Sequence, residues 1–162
     1  MDQINHEQFF KEAQVEAVKA TCLRDKCGAV VACPELVEGL VKYRVVGRGW
    51  NGPAGSQSKC HLDLLDSTKP KSDRTCCVHA EWRAIMDAVR HTKDLSGSIL
   101  YFTRVDEAGD MLKSGEPYCT VCSRLALDSG IGQFALWQEE GIKLYGTKEY
   151  NDLSYEFHVK NK

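Results

Sequence analysis

Two short stretches of the chain carry side chains that can do chemistry together. The first is His79-Ala80-Glu81, and the second, beginning 38 residues after His79, is Pro117-Tyr118-Cys119-Thr120-Val121-Cys122. One imidazole and two thiols are donors that zinc prefers, and His79, Cys119 and Cys122 make three where a structural zinc takes four. The missing ligand leaves one tetrahedral position for water or substrate. Glu81, two residues past the histidine, stands close enough to handle a proton there without filling the position itself. The four residues therefore predict a catalytic zinc centre that promotes attack of water on an electrophilic carbon. A Cys-x-x-Cys pair alone would equally suit a redox couple or half of a structural zinc knuckle, and a His-x-Glu step alone is common by chance. Together, a structural zinc completed by a further ligand is the competing reading.

The elements that must position these groups follow from hydrophobic periodicity. Residues 7–20 place Phe9, Phe10, Ala13, Ala17 and Val18 on one helical face. The runs Gly28-Ala29-Val30-Val31-Ala32 and Tyr43-Arg44-Val45-Val46-Gly47 read as a hairpin, broken by Pro34 and Gly39. Residues 52–75 form a long Gly/Ser/Lys/Pro/Asp-rich connection of the kind that is usually functional. A second helix over residues 79–91 carries Ala80, Ala84, Ile85, Ala88 and Val89; residues 98–103 read as strand; residues 119–129 read as helix closed by Gly130. Residues 134–137 and 142–145 are two last strands about an acidic turn. Tyr150, Leu153 and Phe157 could share a face of a terminal helix, in a segment with no evident chemistry. The pattern predicts one α/β domain over residues 1–162, a sheet layered between helices. Two helix N-termini then converge on the metal, and their positive ends favour thiolates at Cys119 and Cys122.

Composition narrows the partners. A net charge of −2 argues against life on nucleic acid, which needs clustered cations, and favours a small-molecule substrate. No apolar run is long enough to span a membrane and the first residues are polar, which predicts a cytoplasmic protein. Eight cysteines then read as thiols and ligands rather than disulfides. By their spacing Cys60, His61, Cys76 and Cys77 are candidates for a second zinc, although a buried packing role for Cys76 and Cys77 is the simpler reading. The basic run from Lys69 to Arg74 is read as solvated, with a phosphate contact as its alternative. Gly47-x-Gly49-x-x-Gly52 continues into loop and is no dinucleotide fingerprint; its glycines are expected to bring backbone and Asn51 close to a substrate. Trp50, Trp82 and Tyr118 are candidates for stacking on a ring or for ordinary packing, and His6, His91 and His158 for surface or capping roles.

Thr21-Cys22-Leu23-Arg24, Cys27-Gly28-Ala29-Val30-Val31, Gly47-Arg48-Gly49-Trp50-Asn51-Gly52 and Cys77-Val78-His79-Ala80-Glu81, with the Cys-x-x-Cys, make the chain resemble the cytidine and deoxycytidylate deaminase superfamily, and most of all its deoxycytidylate branch. The resemblance covers roughly residues 7–145. It implies a three-layer α/β/α fold with a five-stranded mixed sheet, Zn²⁺ on His79, Cys119 and Cys122, Glu81 as proton shuttle, and Asn51 and Ala80 against the substrate. The implied reaction is hydrolytic deamination of a cytosine nucleotide or nucleoside, with ammonia released, in a homo-oligomer. The same site on single-stranded DNA or RNA, or on another aminated ring such as guanine, is the alternative. A noncatalytic zinc module would not need Glu81. The sequence departs from the branch twice: Tyr118 is an extra residue between Pro117 and the first thiol, and Arg83 stands where asparagine is usual, as in the free-nucleoside deaminases. Nucleotide and nucleoside therefore both stay open.

Overall fold

The computed structural model describes residues 3–57 and 77–162. Helix α1 (His6–Val18) precedes a long hairpin of β1 (Lys26–Val37) and β2 (Leu40–Trp50), followed by the short strands β3 (Gly52–Pro53) and β4 (Cys77–Val78). Then come α2 (Ala80–His91), β5 (Ile99–Val105), β6 (Met111–Leu112), α3 (Thr120–Ser129), β7 (Gln133–Gln138), β8 (Gly141–Gly146) and α4 (Thr147–Lys160). The main sheet runs β2-β1-β5-β7-β8, with β6 paired to β5. Neighbours are antiparallel except β5 and β7, whose parallel pairing requires the crossover that α3 supplies. The mixed sheet and its helices are the fold class expected.

Helices cover both faces of the sheet, so the central strand is apolar on both sides. Ala29, Val30, Val31 and Ala32 are all buried in succession, as a doubly covered strand requires. Phe9, Phe10 and Ala13 of α1 pack with Val30, Ile99 and Tyr101 on one face. Ala80, Ala84, Ile85 and Ala88 of α2, Ala126 of α3 and Tyr150 of α4 pack with Ala29, Val31, Leu100 and Phe134 on the other. Two residues expected in these faces lie outside them. Val18 is 55% and Val89 52% exposed, because each sits in the last turn of its helix, beyond the edge of the apolar stripe.

The hairpin is longer than its β-branched runs suggest. Its turn lies at Glu38 and Gly39, with φ of 52° and 82°, the pair of left-handed conformations a tight hairpin prefers. Pro34 does not break β1: the strand stops pairing with β5 at Ala32, so the proline sits on an edge, where it is tolerated. The glycines of β2 also do something other than expected. A Cβ on Gly47 would run into the carbonyl oxygen of Ala84, and one on Gly49 into that of Ala80. They let α2 lie directly on the strand, which fixes where the helix begins.

Candidate metal centre and substrate cavity

That helix start carries His79, the first candidate ligand. His79 follows β4, which pairs with β3 just past the end of β2, and it caps α2 in an extended conformation without turning its ring back onto the helix. Cys119 caps α3, and its sulfur accepts the Cys122 backbone N–H at 3.5 Å. His79 Nδ1 lies 3.2 Å from Cys122 Sγ and 3.6 Å from Cys119 Sγ, and the two sulfurs are 3.1 Å apart. Tetrahedral zinc, at roughly 2.3 Å from sulfur and 2.0 Å from nitrogen, needs ligand separations of about 3.5–3.8 Å. The donors thus stand at nearly the spacing the ion demands. Among the described residues this is the one His/Cys/Asp/Glu trio gathered closely enough to hold a metal.

The surroundings favour an anionic donor set with a proton carrier beside it. Cys119 is pulled down to about 4, first by its hydrogen bond with Cys122 and then by His79, whereas burial pushes Cys122 well up in the metal-free chain. Trp82 stacks on the His79 ring with centroids 4.6 Å apart and planes 14° apart. Its buried indole N–H has no oxygen or nitrogen acceptor and lies against Cys122, where it favours the thiolate. Glu81 is buried, and that burial, with the neighbouring charge of Cys119, raises its carboxyl to about 7.

His79, Ala80, Glu81 and Cys119 open onto a cavity of about 710 Å³, within the range of small-molecule sites. Asn51 lines it as well, but both ends of its amide are engaged: Oδ1 accepts the Cys27 N–H at 2.8 Å and Nδ2 donates to the Asp25 carbonyl at 2.8 Å. Arg24, Asp25 and Arg104 bring charge to the wall, with Arg104 and Asp25 3.9 Å apart. Trp50 and Trp82 do not line the cavity, whereas Tyr118 does. Trp50 instead lies under Lys19 and Arg83, their cationic groups 5.4 and 5.8 Å from its ring.

Arg83 does not line the cavity either. Its guanidinium donates to the carbonyls of Trp50 and Pro53 at 3.0 and 2.8 Å, tying α2 to the chain leaving β2. His6 meets the Tyr101 hydroxyl at 2.8 Å, and His91 pairs with its own helix through the Asp87 carbonyl. His158 is more than a surface residue: Nε2 donates to the Tyr118 carbonyl at 2.7 Å, and the side chain lines the cavity beside Tyr150, Tyr155 and Phe157. These α4 residues were missed because only their apolar spacing was legible. Cys60, His61, Cys76 and the run from Lys69 to Arg74 lie outside the described residues. Cys77 is buried and lines the cavity.

Comparison with known proteins agrees with this chemistry. Residues 3–137 match the family described as "Cytidine and deoxycytidylate deaminase zinc-binding region". A deoxycytidylate deaminase of Mycobacterium phage D29 is 36% identical over 134 residues, spanning 77% of this chain and 88% of the phage protein. The apo crystal structure of a dCMP deaminase from the cyanophage S-TIM5 superposes with a TM-score of 0.50 at 24% identity, covering 79% of this chain and 78% of its own. The same cyanophage enzyme has been crystallised with dCMP and dUMP, and that structure superposes with a TM-score of 0.50 at 21% identity over 80% of this chain and 77% of its own. A cytidine deaminase from Burkholderia pseudomallei superposes with a TM-score of 0.54 at 13% identity, over 91% and 96% of the two chains.

Proposed function

This chain belongs to the cytidine and deoxycytidylate deaminase family, zinc-dependent enzymes acting on cytosine nucleotides or nucleosides, and from that premise we propose that its own substrate is dCMP. The observation that carries the chemistry is the Nδ1/Sγ/Sγ triangle with the Glu81 carboxyl in the same cavity. His79, Cys119 and Cys122 would hold the zinc, which when bound supplies a Lewis acid that makes water nucleophilic near neutral pH. Glu81 takes the proton that water gives up and delivers it to N3 of the cytosine ring. After attack at C4 the same carboxyl takes the remaining proton from the new C4 hydroxyl and passes it to the exocyclic amine, which leaves as ammonia while the carbonyl of the uracil product forms. A carboxyl near 7 suits a group that must both accept and donate.

Asn51 and Ala80 are our candidates for substrate contacts. An amide oxygen has two lone pairs and its nitrogen two protons, so Asn51 retains one of each beyond its backbone bonds. Ala80 begins α2, where the backbone N–H has no helical acceptor. The preference for a nucleotide over a nucleoside rests on the guanidinium groups of Arg24 and Arg104 in the cavity wall, since such groups bind phosphate by paired hydrogen bonds. Because Arg83 is spent on backbone carbonyls, it gives no support to a nucleoside substrate. We also infer that copies of the chain associate, supported by exposed Met86 and Val89 on α2, and that it works in a reducing compartment such as the cytoplasm, which suits a thiol-based zinc site.

The test is ammonia release by zinc-loaded protein from dCMP, CMP, deoxycytidine, cytidine, guanine and cytosine-containing single strands. dCMP should be the best substrate, and Glu81→Ala should retain zinc while losing roughly 10²- to 10⁴-fold in kcat. A fully active Glu81→Ala protein would remove the carboxyl from the mechanism, and release from strands alone would move the reaction to nucleic acid.

A further inference from the structure

Tyr118 is the residue by which this chain exceeds the usual Pro-Cys step, and the structure shows both its ring and its backbone held from the C-terminal helix. Its ring meets that of Phe157 at 5.8 Å with planes 49° apart, and its carbonyl accepts the His158 Nε2 hydrogen bond at 2.7 Å. The helix making these contacts is itself anchored. Tyr150 stacks on Phe134 at 3.9 Å, and Ser123 of α3 donates to Asn151 Oδ1 at 2.8 Å. Tyr118 nevertheless keeps 43% of its surface exposed, and Tyr118, Phe157 and His158 all line the cavity that contains Glu81.

A large aromatic side chain left uncovered inside a concave site is a surface for another ring. Pyrimidines have two apolar faces, and stacking on an aromatic residue binds them with little dependence on edge hydrogen bonds. We propose that Tyr118, backed by Phe157, forms an aromatic platform on which the pyrimidine of the substrate stacks, with His158 as the residue that positions it. Base recognition is then completed by the chain's own C-terminal helix. The inserted residue and the terminal helix act as one device, since Tyr118 without α4 has neither its ring partner nor its carbonyl donor. The proposal rests on the deaminase reading of the cavity.

Its test measures binding and turnover separately in the zinc-loaded full chain. Calorimetric titration with dUMP reads ground-state binding, and steady-state assay with dCMP reads KM and kcat. Tyr118→Ala and Phe157→Ala should each weaken dUMP binding and raise the KM for dCMP by about 10- to 100-fold, with kcat affected less. Tyr118→Phe, which keeps the ring, should bind like wild type. His158→Ala should weaken dUMP binding, and His158→Gln, which restores an N–H donor, should recover part of it. Alanine variants with wild-type Kd and KM overturn the platform, and alanine variants that lose zinc overturn it in favour of a scaffold role for the Tyr118 loop. dUMP binding that depends on Tyr118 and Phe157, without ammonia release, would uphold the platform and sink the assigned reaction. Ammonia release that ignores both alanines would do the reverse, and a wild-type chain that neither binds nor turns over these ligands would sink both.

Discussion

Asn51 holds together the entry to β1 by accepting from Cys27 and donating to Asp25, 24 and 26 residues before it in the chain. Both bonds are made by a buried side chain, so truncating it leaves a backbone N–H and a carbonyl without partners. Asn51→Ala should therefore lower the unfolding free energy by about 2–4 kcal/mol, read from urea denaturation at unchanged slope. Asn51→Asp, which keeps only the acceptor, should fall between. An alanine variant as stable as wild type would show that water replaces the amide and that the turn needs no such tie. At this scale the gathering of His79, Cys119 and Cys122 beside Glu81 was legible because donor type and spacing are themselves what a metal site requires. Arg83 and His158 were not, since their partners are backbone carbonyls brought near only by the fold, which no residue type announces.

The element that matters most is α2, because its first turn carries His79 and Glu81 and its position is set by what β2 lacks. Its helical pattern was evident from Ala80, Ala84, Ile85 and Ala88, and so was the αL stop of α3 at Gly130, where φ is 90°. What the pattern does not encode is the depth at which helix and strand meet. The Gly47 and Gly49 pair therefore read as a substrate approach, when it is a seat for the helix backbone. The terminal helix was similarly half visible: its apolar spacing predicts packing, but the fold alone turns Phe157 and His158 into the cavity. Gly49→Ala should force α2 off the strand, costing about 1–3 kcal/mol as overpacking does, and should lower zinc occupancy because His79 moves with the helix. Normal zinc content together with unchanged thermal stability would mean that α2 can shift without disturbing its first turn.

On the scale of the molecule, the proposed metal would join two helix starts that the sheet already holds independently. α2 is packed through Ala84, Ile85 and Ala88 and α3 through Ala126, all buried in one cluster with Leu100 and Phe134, and α1 closes a second cluster on the opposite face. Folding thus has its apolar driving force without zinc, unlike small domains that depend on the ion to fold. Without the ion, burial holds Cys122 as a thiol beside the anionic Cys119, and a bound cation stabilises the second thiolate that the unfolded chain would leave in water. Removing zinc with a chelator should leave the far-ultraviolet spectrum intact while lowering the thermal midpoint. Readdition should restore it with a dependence on free zinc, worth about 4 kcal/mol at a thousandfold excess over Kd and less if the unfolded thiols also bind the ion. Cys122→Ser should flatten that dependence without unfolding the chain. An apo protein with no native secondary structure would show that the two apolar clusters do not suffice, and that the zinc centre which performs the chemistry also folds the molecule.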